Sequence, residues 1–183
     1  MNPYKLLEKY GPQNEKGMHI LIAHSEAVAK SALILACRTP DITIDLTFLK
    51  EAALLHDIGV AQTNAPAIGC TGEAPYMKHG LLGAALLKEL GFGRHADVCE
   101  RHVGVGLTKE DIVQQGLPLP HRDVLPVSLE EQLITYVDNY YSKGSLKPDV
   151  PRTLECVKKK VASYGSRNIA VFNAWVERFG VVE

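Results

Sequence analysis

Apolar residues in this chain recur at three- and four-residue spacings in stretch after stretch and hardly anywhere alternate, which commits the fold to packed α-helices. Stop signals cut the pattern into pieces. A short helix is predicted over Tyr4–Tyr10, ended by Gly11-Pro12. A long one follows over Gly17–Cys37 and ends at Thr39-Pro40, because a residue before proline avoids the α region. Asp45 is placed to cap a helix over Leu46–Ile58, with Gly59 as its stop. Further helices are predicted over Met77–Leu90 and Arg94–Val103. Thr108-Lys-Glu-Asp111 and Ser128-Leu-Glu-Glu131 read as capping boxes. The first opens a brief helix that halts at Gly116, the second a helix through about Ser142. Helices over Pro151–Ala162 and Arg167–Phe179 close the series.

With 183 residues and no internal repeat or low-complexity tract, one all-α helical bundle over residues 1–183 is the economical reading. Two connections resist the scheme. Val60–Lys78 is rich in Gly, Ala, Pro and Thr, and Gly104–Val127 carries three prolines around one short helix. Connections of that length are often binding loops. Twenty Lys+Arg against 21 Asp+Glu give a net charge of -1, which argues against a broad grip on a nucleic-acid duplex but leaves room for a local basic pocket. Cys37, Cys70, Cys99 and Cys156 form no C-x-x-C pair and read as reduced thiols. No apolar run reaches membrane-spanning length and no secretory leader opens the chain, so a soluble cytoplasmic protein without membrane contact is expected. No exposed apolar stripe decides between monomer and homodimer.

Polar residues that fall on apolar helix faces carry the chemistry. His24 shares a face with Leu21, Val28, Ser31 and Leu35, whereas His19 lies with Lys16 and Glu26 on a wetter one. His56-Asp57 closes an apolar helix after Leu49, Ala52, Ala53 and Leu54, where ionisable groups are costly unless paired. His79 lies on the stripe of Leu82, Gly83, Leu86 and Leu90; His102 ends its helix beside Val98 and Cys99. Asp138 sits at the edge of the stripe Leu129, Leu133, Val137. Any one of these is as well read as a core residue bonded to a backbone carbonyl. Four inward histidines with two inward aspartates are better explained by shared cations. Imidazole and carboxylate without thiolate suit Fe, Mn, Co, Ni or Zn, with Mg allowed, and six donors exceed what one tetrahedral ion needs. Two divalent transition metals are therefore expected.

The order H…HD…H…H…D, with Leu54-Leu55-His56-Asp57-Ile58-Gly59 and His79-Gly-Leu-Leu-Gly-Ala-Ala-Leu-Leu, resembles the HD-domain superfamily of metal-dependent phosphohydrolases over roughly Gly17–Lys143. His79 and His102 are similar to the added ligands of its binuclear branch, which includes the HD-GYP phosphodiesterases. The GYP signature is missing, since Val-Gly-Val-Gly-Leu-Thr follows His102, and cyclic di-GMP is not the expected substrate. Small archaeal and bacterial HD hydrolases are the nearest likeness. The resemblance implies that His24, His56, Asp57 and Asp138 hold one metal, and that Asp57 bridges to a second held by His79 and His102. It makes Asp57, His79 and His102 the catalytic set. It implies hydrolysis of a phosphate ester or anhydride of a small molecule, most simply a nucleotide, by a metal-bridging hydroxide. A di-iron oxygenase with the same ligand order and a nucleotide-sensing module without catalysis are the alternatives. For the substrate phosphate the cationic candidates are Lys78, Arg101, Arg122 and Lys143, with His121 beside Arg122 in a proline-bounded loop. Tyr76, Tyr140 and Tyr141 are candidates to stack on a base, although core positions suit them equally. The C-terminal helices, with Trp175 and Phe179, are expected to cover the core or to form a dimer contact.

Overall fold

The computed structural model describes residues 1–39 and 43–183. Among these the helices are α1 (Pro3–Tyr10), α2 (Glu15–Arg38), α3 (Leu46–Leu55), α4 (His79–Glu89), α5 (Gly93–Arg101), α6 (Lys109–Gln114), α7 (Leu129–Asp138), α8 (Leu154–Ala162) and α9 (Ser166–Phe179). The fold is all-α, as its periodicity requires. Helix α2 starts where the Asn14 side chain accepts the Gly17 N–H at 2.8 Å, and it ends at Arg38; the Pro40 stop lies outside the described residues. By length and composition α2 alone among the described helices could cross a membrane. Here its stripe Leu21, His24, Val28, Ala32 and Leu35 is buried in the bundle, against α3 and α7.

Helix α3 opens with Asp45 accepting the Phe48 N–H at 3.0 Å and stops at Leu55, three residues before the predicted end. His56 is its C-cap, and Asp57 leads into a 3-10 turn over Ile58–Gln62. Gly59, expected as a stop, lies inside that turn; a Cβ there would collide with the His79 carbonyl and the Gly83 backbone. The connection to α4 is not structureless. It carries 3-10 turns at Pro66–Ile68 and Tyr76–Lys78 and a two-stranded antiparallel ladder, β1 (Asn64–Ala65) with β2 (Cys70–Thr71), paired Asn64 to Thr71 and Ala65 to Cys70. Helices α4 and α5 pack closely, with Gly80 set against the Cys99 carbonyl.

The Thr108 box on α6 is closed in both directions. The Ser128 box on α7 is only half closed: Ser128 accepts the Glu131 N–H at 3.2 Å, but the Glu131 carboxylate accepts from Val127. Helix α7 also stops early, at Asp138. Helices α8 and α9 cover the core, with Phe172, Trp175 and Phe179 buried around Tyr136 at centroid distances of 5.2, 6.4 and 5.9 Å. Two apolar clusters result. One joins the C-terminal part of α2, α3, α7, α8 and α9; the other holds Leu7, Leu21, Leu55, Ile58, Leu87 and Cys99. The polar residues His24 and His56-Asp57 fall where the chain passes from one cluster to the other.

Candidate metal centre

Five elements each end or pass at the same place. His24 comes from mid-α2, His56 and Asp57 from the end of α3, His79 from the first position of α4, His102 from just past α5, and Asp138 from the last position of α7. His24, His56, Asp57, His79 and His102 are all buried. Their donor atoms form two groups, His24, His56, Asp57 and Asp138 in one and Asp57, His79 and His102 in the other, each with its atoms within 4.8 Å of one another. Asp57 belongs to both. Its Oδ2 lies 3.1 Å from His24 Nε2 and 3.0 Å from His56 Nε2, while Oδ1 lies 3.4 Å from His79 Nε2 and 3.5 Å from His102 Nε2. Asp138 Oδ1 completes the first group, 2.9 Å from His24 Nε2 and 3.5 Å from His56 Nε2.

Hydrogen bonds decide what these atoms can do. His56, His79 and His102 each place Nδ1 on a backbone carbonyl three residues earlier, Ala53 at 2.6 Å, Tyr76 at 2.8 Å and Cys99 at 2.8 Å. A carbonyl only accepts, so each Nδ1 carries the hydrogen and each ring turns its Nε2 inward, free to coordinate a cation once that nitrogen is unprotonated. His79 and His102 then face each other Nε2 to Nε2 at 3.0 Å, beside Asp57 Oδ1. Asp57 Oδ1 and Asp138 Oδ1 are themselves buried without a hydrogen-bond donor. Acceptors converging on acceptors are what a cation resolves. The donor set, four imidazoles and two carboxylates with no thiolate, fits a divalent transition metal.

Charge agrees. Burial pushes the Asp57 and Asp138 carboxyls up, but the Lys143 ammonium and the histidines outweigh it and hold both well below the usual carboxylate range. Burial lowers His79 to about 4, which keeps it a neutral ligand. Burial acts downward on His56 too, yet Asp57 and Asp138 outweigh it and raise this ring to about 10, a sign of how strongly the carboxylate pair demands positive charge.

A cavity of about 530 Å³ opens over the second group, lined by His79, His102, Asp138, Tyr76, Tyr141 and Lys143 among others. Lys143, a substrate-binding candidate, contacts Asp57 Oδ2 and lies 3.4 Å from His24 Nε2. The structure does not bring the other candidates to this cavity. Arg101 is ion-paired to Glu131 at 3.0 Å and to Asp97 at 3.4 Å, and Arg122 is tied to Glu100. His121 is exposed and Lys78 half-buried, and neither lines the cavity. Among the tyrosines, Tyr76 stacks on the His79 ring at 4.8 Å, Tyr141 bonds Ser31, and Tyr140 is core. His19 is exposed, and His95 packs on Phe48. Sequence reasoning missed Lys160, Tyr164 and Asn168, which line the cavity from α8, the turn after it and α9. The only signal was the Lys158–Lys160 run at one turn's distance from Tyr164.

An all-α bundle whose helix ends converge on histidines and aspartates defines a class, and the HD domain family matches residues 21–142. The chain belongs to the HD domain family. It is 36% identical over 122 residues, 65% of its length, to the uncharacterized protein MJ0778 of Methanocaldococcus jannaschii. It is also 33% identical over 152 residues, 78% of its length, to a tRNA (cytidine(56)-2'-O)-methyltransferase of Picrophilus torridus. A protein of the same name from Thermoplasma volcanium is 28% identical over 166 residues, 90% of this chain. The matches cover 64%, 40% and 43% of those relatives. No solved structure matches the chain.

Proposed function

We propose that this chain is a metal-dependent phosphohydrolase that cleaves a phosphate ester or anhydride of a small molecule, a nucleotide, with two divalent transition metals. The observation that carries the reading is Asp57, whose two oxygens face two separate histidine sets. A carboxylate can divide its oxygens between two cations, and an imidazole cannot. His24, His56 and Asp138 would hold one cation with Asp57 Oδ2, and His79 and His102 the other with Oδ1. Bound there, paired cations acidify water and neutralise charge on a phosphoryl oxygen. The protein's own part is positioning. Lys143, at the carboxylate and on the cavity wall, meets phosphate oxygens. Ile68 and Val105 line the same cavity and exclude water, and the Tyr76 ring offers a face to a base. The occurrence of a related domain in two proteins named as tRNA methyltransferases accords with a nucleotide-derived substrate.

The test joins elemental analysis of protein purified without a chelating tag to a panel of nucleoside mono-, di- and polyphosphates. Metal-loaded protein should release phosphate or nucleotide, and a chelator should stop it. Asp57→Ala should lose bound metal and more than about a hundredfold of the activity. No product across the panel would overturn the hydrolase, and oxygen consumption in its place would point to the oxygenase alternative.

A further inference from the structure

The cavity extends past the metal ligands to a rim that the chemistry above does not use. Lys160 and Tyr164 line it from α8 and the turn that follows. Tyr164 is 54% exposed, and Tyr76, which also lines the cavity, is 38% exposed. Charge is concentrated beside them. Residues 143–160 hold six lysines and arginines and two carboxylates, in a chain whose net charge is -1. Lys143 contacts Asp57, but among the described residues the other five cations have no carboxylate partner. Lys160 is held below the ordinary lysine range, by burial first and then by the nearby charges of Arg152 and Lys143, which outweigh the opposing Asp138. Like charges crowded without counter-ions favour an arriving anion.

A single phosphate at Lys143 leaves without a role Lys160, which lines the cavity, and Arg152, which lies outside the lining but close enough for its charge to act on Lys160. A strand supplies a phosphate with every residue, and each base has a face for an aromatic ring. We infer that the site takes its nucleotide as the end of a short single-stranded RNA, whose next phosphates lie against the Arg152–Lys160 rim and whose bases rest on Tyr76 and Tyr164. Cleavage at that end rests on the hydrolase reading; binding of the strand does not.

The test is fluorescence anisotropy of a 5′-phosphorylated, 3′-labelled hexauridylate with the full chain, in parallel with uridine monophosphate as competitor. The strand should bind more tightly than the monophosphate, and its affinity should fall with salt at a log–log slope of roughly 2. The Arg152→Ala/Lys160→Ala pair should weaken it about tenfold and Tyr164→Ala about fivefold or more. The Lys16→Ala/Lys30→Ala pair removes the same two charges from exposed positions on α2 and should change nothing. Thermal unfolding checks that each variant is folded, and Lys160→Gln alone serves if the pair is not. Equal affinity for strand and monophosphate, or an unaffected rim variant, would overturn the inference. So would equal binding of duplex RNA or anionic phosphatidylserine vesicles. If the strand binds in this way but no phosphate is ever released, the hydrolase reading fails and this one stands; hydrolysed mononucleotides with no strand binding would be the reverse.

Discussion

His56, His79 and His102 share one local device, a ring bonded to the carbonyl three residues before it, and it is why each lies at or beside a helix end, where such a carbonyl is within reach. His24 lies in mid-helix, and its Nδ1 finds no partner; its ring is held from the Nε2 side by Asp57 and Asp138. Gly59, two residues after Asp57, allows the turn to lie against the start of α4. With the His79 carbonyl and Gly83 backbone where its Cβ would be, Gly59→Ala must push the two apart. We expect a loss of about 3 kcal/mol, read from the midpoint of urea unfolding. A variant as stable as its parent would mean that the turn has slack the packing does not show.

Capping sets the element ends, and the Thr108–Asp111 box is open to a direct test. The Asp111 carboxylate accepts the Thr108 N–H at 2.9 Å and lies 3.4 Å from Arg167 Nη1. Partial burial pushes its pKa up, but the Thr108 bonds and Arg167 outweigh it and set it below the ordinary aspartate value of 3.8. A depressed carboxyl contributes stability above its unfolded pKa and loses it as pH falls through 3.8 toward the folded value. Asp111→Asn should therefore cost about 0.5 to 1 kcal/mol at neutral pH, and the gap between the two proteins should close in acid, measured by urea unfolding across pH. Local signals of this kind made the starts of α3, α6 and α7 readable from sequence, whereas α2 begins at Glu15, two residues before the expected Gly17, because Asn14 caps it. The ends of α3 and α7 were not, because side chains take the carbonyls that another turn would need. Ala53 receives the His56 ring, and Thr135 receives the Asn139 amide at 2.8 Å. The convergence of the candidate donors was readable, since each breaks an apolar stripe. Arg101 and Arg122 could not be placed, because their partners Glu131 and Glu100 are distant in sequence.

Across the whole molecule, the candidate donors are drawn from α2 to α7, so a cation held by them would bind the folded chain alone, since the separated donors of an unfolded one form no site. Free metal at about a hundred times its dissociation constant should add roughly 2.7 kcal/mol, or about 5 to 11 °C in Tm for a chain of this size. A chelator should reverse the shift, and Asp57→Ala should show little of it, by differential scanning fluorimetry. A Tm indifferent to metal would deny that the buried donors are a site. The donor order has one more consequence. Asp57, His79 and His102 leave the ribosome before Asp138 has been made. A chain cut after His102 would keep every donor of the Asp57, His79 and His102 group and lack one carboxylate of the other, so the two halves of the centre can be told apart by length alone.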